Sequence, residues 1–259
     1  MWFDKQFIQQ WGGKEPTFKQ IMALQGEIFR EPKGAGRRTL KFTKNGQFYF
    51  AKLHWGVGWK EIFKNLVSFR LPILGAQNEW LAIQAFNKIG IETMHLSGYA
   101  QQGFNPAKQQ SFVITQSLEE SISLEDYCAD WQTNPPKVAV KYQLIRRIAE
   151  MTRLMHDNGM NHRDYYICHF LLMPWDGTWQ NLHLHLIDLH RVQKRSKVPF
   201  RWRVKDLGAL WFSAMEIGLK PRDYLRFIKI YNQGDLRQSL ADKKLWRAVE
   251  KRALALWME

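Results

Sequence analysis

Apolar and polar positions along the chain change period twice, and those changes divide it. Residues 1–26 carry apolar side chains at Phe3, Phe7, Ile8 and Trp11, then at Phe18, Ile21, Met22 and Leu24. This amphipathic pattern reads as an irregular or partly helical lead-in. From Glu27 the pattern alternates, and 28–30, 39–43 and 47–53 read as three antiparallel strands of a meander. A turn over 32–36 joins the first two, and Asn45-Gly46 is a hairpin signal between the second and third. Residues 54–76 look like an inserted amphipathic segment. A helix is expected over 78–88, with Trp80, Leu81, Ile83 and Phe86 along one side and Gly90 as its stop. Two more strands are expected at 92–99 and 111–115. Beyond a polar connector at 116–121 the period turns helical over 123–130 and 138–156. The apolar runs 170–173 and 182–187 flank Trp175-Asp176-Gly177 as a hairpin, and helices follow over 204–217, 221–231 and 240–257. The pattern predicts an α+β protein of two lobes. Residues 1–118 make a small antiparallel β lobe with one main helix, and 119–259 make a larger, mostly helical lobe.

Composition narrows the setting. A chain of 259 residues that is 45% hydrophobic and 14% aromatic can bury a substantial core, which excludes disorder. Its formal net charge of +14 calls for an anionic partner. No base-reading motif accompanies that charge, so nucleic acid is not expected. Two cysteines, Cys128 and Cys168, and no signal-peptide pattern point to a reducing, cytoplasmic location. No run reaches the ~18 apolar residues of a membrane span. Within 55–74, Trp55, Trp59, Phe63 and Leu66 alternate with Lys60, Lys64 and Arg70. Such a segment suits an anionic membrane surface or an acyl chain, an acidic carrier protein being another partner, unless its apolar residues pack inside the lobe.

The charged triplet His162-Arg163-Asp164 stands on a loop between the long helical pattern and the apolar run at 170, where rigid neighbours hold polar groups for chemistry. A β lobe, a hinge and a helical lobe bearing such a loop make a protein-kinase-like layout, and the motif order tests it. Phosphoryl transfer needs a lysine and a metal to hold ATP phosphates and an aspartate to orient the attacking hydroxyl. Lys52 in the third strand is the candidate phosphate ligand, and Glu79 at the start of the next helix is its candidate partner. His162, Arg163 and Asp164 are the candidate catalytic residues, with Asp164 orienting the hydroxyl. Asp188 in Leu186-Ile187-Asp188-Leu189-His190 follows the hairpin where a kinase carries its magnesium aspartate, a hard oxygen ligand. Leu189-His190 replaces the usual Phe-Gly. His169 stands where a protein kinase carries asparagine, and it can ligate metal, contact phosphate or brace the loop. Gly34 and Gly36 supply two glycines of an incomplete phosphate-binding loop. A basic run, 191–203, follows as a candidate acceptor-binding loop. A histidine-rich metal hydrolase using His162, His169, His183, His185 and His190 is a competing reading.

The stretch 161–172, NHRDYYICHFLL, together with LIDLHR at 186–191 and KDLGALWFS at 205–213, closely resembles the lipopolysaccharide core heptose kinases of Gram-negative bacteria. The likeness runs over nearly the full chain, and in that family the position of His169 is histidine. The resemblance implies ATP- and magnesium-dependent phosphorylation of the first heptose of the inner core. It also implies an ATP cleft between lobes, with Lys52, Asp164 and Asp188 essential, and work at the cytoplasmic face of the inner membrane. The residues themselves reach only phosphoryl transfer. They leave open a kinase-fold enzyme with another acceptor (protein tyrosine, another sugar or an antibiotic), or a non-catalytic nucleotide-binding scaffold.

Overall fold

The computed structural model describes residues 1–31, 36–67 and 75–259. The chain forms two compact units, Met1–Gln84 with Met94–Glu119 and Ala85–Thr93 with Glu120–Glu259. The first unit contains, in chain order, β1 (Trp2–Phe3), α1 (Lys5–Gln10), α2 (Phe18–Met22), β2 (Glu27–Arg30), β3 (Arg37–Lys44), β4 (Gln47–His54), α3 (Gly58–Val67), most of α4 (Gln77–Lys88), β5 (Leu96–Gln102) and β6 (Gln110–Gln116). The six strands form one antiparallel sheet in the order β1-β5-β6-β4-β3-β2. The expected meander is present as β2-β3-β4. Its tight turn holds Asn45 and Gly46 at φ 45° and 80°, the left-handed geometry this hairpin demands.

The lead-in is more ordered than its periodicity suggests. The Asp4 carboxylate caps α1 by accepting from the Phe7 N–H, and Thr17 and Gln20 cap α2 reciprocally. Phe7 and Ile21 are fully buried against Phe42, Tyr49, Leu53 and Phe112, so the two short helices close one face of the sheet. Burying a side chain of that size stabilises by about 1.5–3 kcal/mol. The sixth strand, β1, is two residues long and carries no readable alternation. Along β4, Tyr49, Ala51 and Leu53 point into this core, which sends Lys52 to the opposite face.

The second unit contains β7 (Ile122–Ser123), α5 (Leu124–Tyr127), α6 (Val138–Asp157), β8 (Met160–Asn161), a 3₁₀ turn at Ile167–His169, β9 (Phe170–Leu172) and β10 (Leu184–Leu186). A second 3₁₀ turn at Leu189–Arg191 follows, then β11 (Gln193–Lys194), α7 (Phe200–Ser213), α8 (Pro221–Asn232), α9 (Leu236–Ala241) and α10 (Lys243–Met258). Two small antiparallel sheets, β10-β9-β7 and β11-β8, flank the charged loop. The α+β character and the hairpin at 170–186 match expectation.

Several boundaries do not. The strand expected from residue 92 begins at Leu96, because Glu92 and Thr93 are engaged by the second unit. The Glu92 carboxylate accepts from His183 Nδ1 at 2.6 Å, Arg147 at 2.8 Å and the Leu184 N–H at 3.1 Å. The Thr93 hydroxyl donates to the Leu186 carbonyl at 2.6 Å. Burial opposes ionisation of Glu92, yet the His183 and Arg147 hydrogen bonds outweigh it and hold its carboxyl below the ordinary range. The helix expected over 123–130 ends at Tyr127. Helix α7 starts at Phe200, directly behind Pro199, so the end of the basic run is helix and not loop. The single C-terminal helix is two, broken at Asp242, whose carboxylate caps α10 by accepting from the Leu245 N–H at 3.0 Å.

Candidate active site

In the first unit, the Lys52 ammonium donates to Glu79 Oε1 at 2.6 Å. Strand register fixes Lys52, which lies between Thr39 of β3 and Val113 of β6. Glu79 occupies the first turn of α4, where the helix dipole favours a carboxylate, and it is 2% exposed. Trp80 stacks on Tyr99 with ring centroids 4.4 Å apart, which pins that turn to the sheet. Gly36 has φ 57°, and a Cβ there would collide with the Gly56 carbonyl, so the fold itself demands glycine. Gly34 lies outside the described residues, as do Arg70 and the side chains of Lys60, Lys64 and Leu66. The described part of their segment is α3, where Trp59, Phe63 and Val67 are exposed at helical spacing and Ile62 is buried.

In the second unit, the triplet 162–164 is held by a residue far away in sequence. Asp206 of α7, fully buried, accepts the His162 N–H on Oδ2 and the Arg163 N–H on Oδ1, each at 2.8 Å. Arg163 takes φ 79°, a left-handed conformation that costs a non-glycine residue of order 1 kcal/mol and persists only where surroundings enforce it. Its guanidinium lies over the Trp202 ring at 5.1 Å. His162 is completely buried, with Nε2–H donating to the Ile187 carbonyl at 3.0 Å. Burial lowers its pKa, so the ring is neutral. A side chain in that position braces the loop against the Ile187 carbonyl.

Asp164 is partly exposed. Both Asp164 carboxylate oxygens accept from Arg191 Nη1, at 2.7 and 3.0 Å. Its backbone carbonyl accepts from His169 Nδ1 at 2.7 Å. That bond places a proton on Nδ1 and turns Nε2 toward Asp188 Oδ2, 3.8 Å away. Asp188 Oδ1 lies 2.7 Å from His190 Nδ1, and its backbone is also left-handed at φ 60°. Asp164, His169 and Asp188 therefore converge. Cys168, beside them in sequence, is pushed up to about 11 by burial and is no thiolate nucleophile.

Among the described residues no three His, Cys, Asp or Glu side chains are arranged to hold a metal ion by themselves. His183, one of the histidines of the competing hydrolase reading, is bonded to Glu92. The sequence reading missed Asp206, His190 as partner of Asp188, and Arg191 as partner of Asp164. It also missed Lys205, whose pKa burial lowers, with the Arg191 charge acting in the same direction. One signal for Asp206 was available. A carboxylate directly before Leu207-Gly208-Ala209-Leu210 must find buried donors.

The model of the family described as "Lipopolysaccharide kinase (Kdo/WaaP) family" matches residues 19–231, a span that contains every side chain just named. The chain belongs to that family. As a lipopolysaccharide kinase family member it is a sugar kinase, and its relatives agree in name. A lipopolysaccharide core heptose(I) kinase WaaP of Escherichia coli is 51% identical over 239 residues, 92% of this chain and 89% of that protein. The protein of the same name from Pseudomonas aeruginosa is 43% identical over 257 residues, 99% of this chain and 92% of its own length. A solved structure of WaaP in complex with acyl carrier protein superposes with a TM-score of 0.82 at 39% identity, covering 99% of this chain and 98% of that one. No helix among the described residues of this family member is long and apolar enough to cross a membrane.

Proposed function

We propose that the chain transfers the γ-phosphoryl group of ATP to the first heptose of the lipopolysaccharide core. The observation that carries the chemistry is His169, joining the Asp164 carbonyl to the neighbourhood of the Asp188 carboxylate. The names of the relatives supply the acceptor. The transition state of phosphoryl transfer is loose, so the protein contributes positioning and charge more than bond-making. Asp164 accepts the proton of the heptose hydroxyl and aims its oxygen, while Arg191 fixes the orientation of that carboxylate. Lys52 holds the α- and β-phosphates, and Glu79 aims Lys52. Gly36, with Gly34 as the second candidate glycine of the sequence, belongs to the phosphate-binding turn of this reading. Arg163 and His162 position the loop.

Asp188 Oδ2 and His169 Nε2 face one another at 3.8 Å, a separation that leaves room for a cation to take both as ligands. Magnesium would be held there chiefly by Asp188, since hard oxygen suits it better than imidazole, and when bound it offsets charge on the transferred phosphoryl group. Asp164→Asn is expected to lower transfer to deacylated core oligosaccharide at least about a thousand-fold while ATP affinity stays within about three-fold. A mass shift of one phosphate, mapped to a heptose hydroxyl, reports the product. Full turnover in the variant would remove Asp164 from its role. Efficient transfer to tyrosine, another sugar or an antibiotic, and none to heptose, would replace the acceptor. ATP binding with no transfer at all would make the chain a scaffold.

The reading extends to partners. The lipopolysaccharide acceptor is an amphiphile, so the enzyme works at the cytoplasmic face of the inner membrane, and the exposed Trp59, Phe63 and Val67 of α3 rest on that anionic surface. An acidic acyl carrier protein is a second partner. It is supported by the +14 charge and by the WaaP complex, and an apolar cavity of about 90 Å³ lined by Leu124, Trp131, Leu144, Leu210 and Trp211 would accept its chain. One comparison tests both: Trp59→Ser/Phe63→Ser should lose co-sedimentation with anionic vesicles yet retain acylated carrier in a pull-down. Unchanged sedimentation would sink the membrane contact, and equal capture of unacylated carrier would sink the cavity assignment.

A further inference from the structure

A second pocket, polar and of about 440 Å³, opens in the second unit and shares no side chain with the residues assigned to phosphoryl transfer. Arg153, Lys197 and Arg203 line it together with Ser196, Asn232 and Gln233, and the one carboxylate among its walls is Asp157. The cations are poorly matched by protein anions. Arg153 reaches Asp157 only at 3.5 Å, and its buried Nε has no hydrogen-bond partner. Arg203 gives Nε to the Tyr231 hydroxyl at 3.1 Å. Lys197 is exposed, and among the described residues its ammonium has no ion-pair partner. Three cations gathered around a cavity with a single carboxylate in its wall repel one another, and an orphaned buried N–H costs free energy. A multiply charged oxyanion relieves both, because guanidinium and ammonium donors converge on it while hydroxyl and amide groups fill its remaining acceptor sites.

The pocket wall is also wired to the loop that carries Asp164. The Tyr231 hydroxyl, having accepted from Arg203, lies 2.8 Å from His156 Nδ1. His156 Nε2 lies 3.4 Å from Asp206 Oδ2, and a carboxylate only accepts, so Nε2 donates there while Nδ1 bonds the Tyr231 hydroxyl. Asp206 in turn accepts the backbone N–H groups of His162 and Arg163. His156, Tyr231 and Asp206 are all buried, which strengthens each bond in the series. A second connection runs through the backbone. Ser196 and Lys197 follow β11 directly, and β11 pairs with β8 at Met160–Asn161, immediately before the triplet.

We infer that this pocket binds a small phosphate-bearing ligand, and that its occupancy stiffens the loop holding Asp164 through Arg203, Tyr231, His156 and Asp206. The coupling, though not the binding, rests on the role proposed for Asp164. The phosphate can be free in solution or carried on a saccharide. The basic run 191–203 thereby divides by task. Arg191 serves Asp164 and Arg195 donates to Asn161 Oδ1 at 2.7 Å, whereas Lys197 and Arg203 face the pocket.

The test titrates the full chain with inorganic phosphate and, separately, glucose 6-phosphate by calorimetry, with the nucleotide site saturated by a non-hydrolysable ATP analogue and magnesium. Saturable one-to-one binding is expected. Lys197→Gln, an exposed change that leaves the fold alone, should weaken it about ten-fold, the weight of one charge-assisted hydrogen bond. Arg203→Gln should weaken it at least as much, and Arg203→Lys should restore part of the loss. Tighter binding of the sugar phosphate assigns a saccharide-borne phosphate, and equal affinity assigns the free anion. Affinity unchanged in both Lys197→Gln and Arg203→Gln, or no saturation in the wild type, overturns the site. Hydrogen exchange over 160–166 reads the coupling. The anion should slow it in the wild type, and Tyr231→Phe should abolish the slowing while leaving anion affinity within about two-fold. Exchange in the wild type that ignores the anion overturns the coupling.

Discussion

Lys52 meets Glu79 through regular structure. Strand alternation turns the lysine out of the core, β-sheet register sets its height, and the first turn of a helix presents the carboxylate. Asp164 and Asp188 meet His169 by other means. They stand on loops with left-handed residues at Arg163 and Asp188, two 3₁₀ turns, and a buried aspartate more than forty residues along the chain. The first arrangement follows from local periodicities that many sequences would satisfy. The second exists only if specific hydrogen bonds are made, so its loss should be abrupt where the first should degrade by degrees.

The largest expected effect is therefore at Asp206. Asp206→Asn keeps the volume but sets an amide donor against two backbone donors, and stability should fall by about 3–5 kcal/mol in urea unfolding, with transfer activity lost alongside. A loss below about 1 kcal/mol would mean that the loop is held by something else. In the first unit the effects should be graded. Lys52→Met strands a carboxylate that is 2% exposed and removes the proposed phosphate contact, so kcat/KM should drop by about a hundred-fold or more, with a stability cost of about 1–3 kcal/mol. Glu79→Gln still accepts from Lys52 and should cost only about ten-fold in kcat/KM. Equal losses for the two substitutions would show that Glu79 is not secondary to Lys52.

This contrast also explains what the sequence made legible. The meander, the hairpin turn at Asn45-Gly46 and the helix carrying Glu79 were readable because each rests on a period of two or 3.6 and a recognisable turn. The spacing of Asp164, His169 and Asp188 marked a site, but not its supports. Nothing local signals that Arg191 turns back to Asp164, since its basic neighbours read as an acceptor-binding loop. The helical start at Phe200 was hidden in the same way, because Arg201 and Arg203 read as loop charge until Pro199 is seen to begin a helix. Glu92 was taken for strand because its three partners lie 55 to 92 residues away, beyond any periodicity.

The smallest effect is a dependence on pH in the second unit, at His162. His162 is buried as a neutral ring, and burial sets its pKa below the ordinary 6.5. The unfolded chain takes up a proton near pH 6.5, whereas the folded chain does so only at lower pH. Between those values the unfolded state binds more protons, and stability falls as pH falls. Above about pH 7 both states are neutral at this residue and it contributes no slope. One such group can steepen the dependence by at most about 1.4 kcal/mol per pH unit. His185, shifted down by burial as well, adds in the same direction. His162→Gln should therefore lower stability at pH 7.5, through the lost bond to the Ile187 carbonyl, yet lose less than the wild type between pH 6.5 and 5.5. Parallel curves for the two proteins across that window would show that the imidazole is not held neutral.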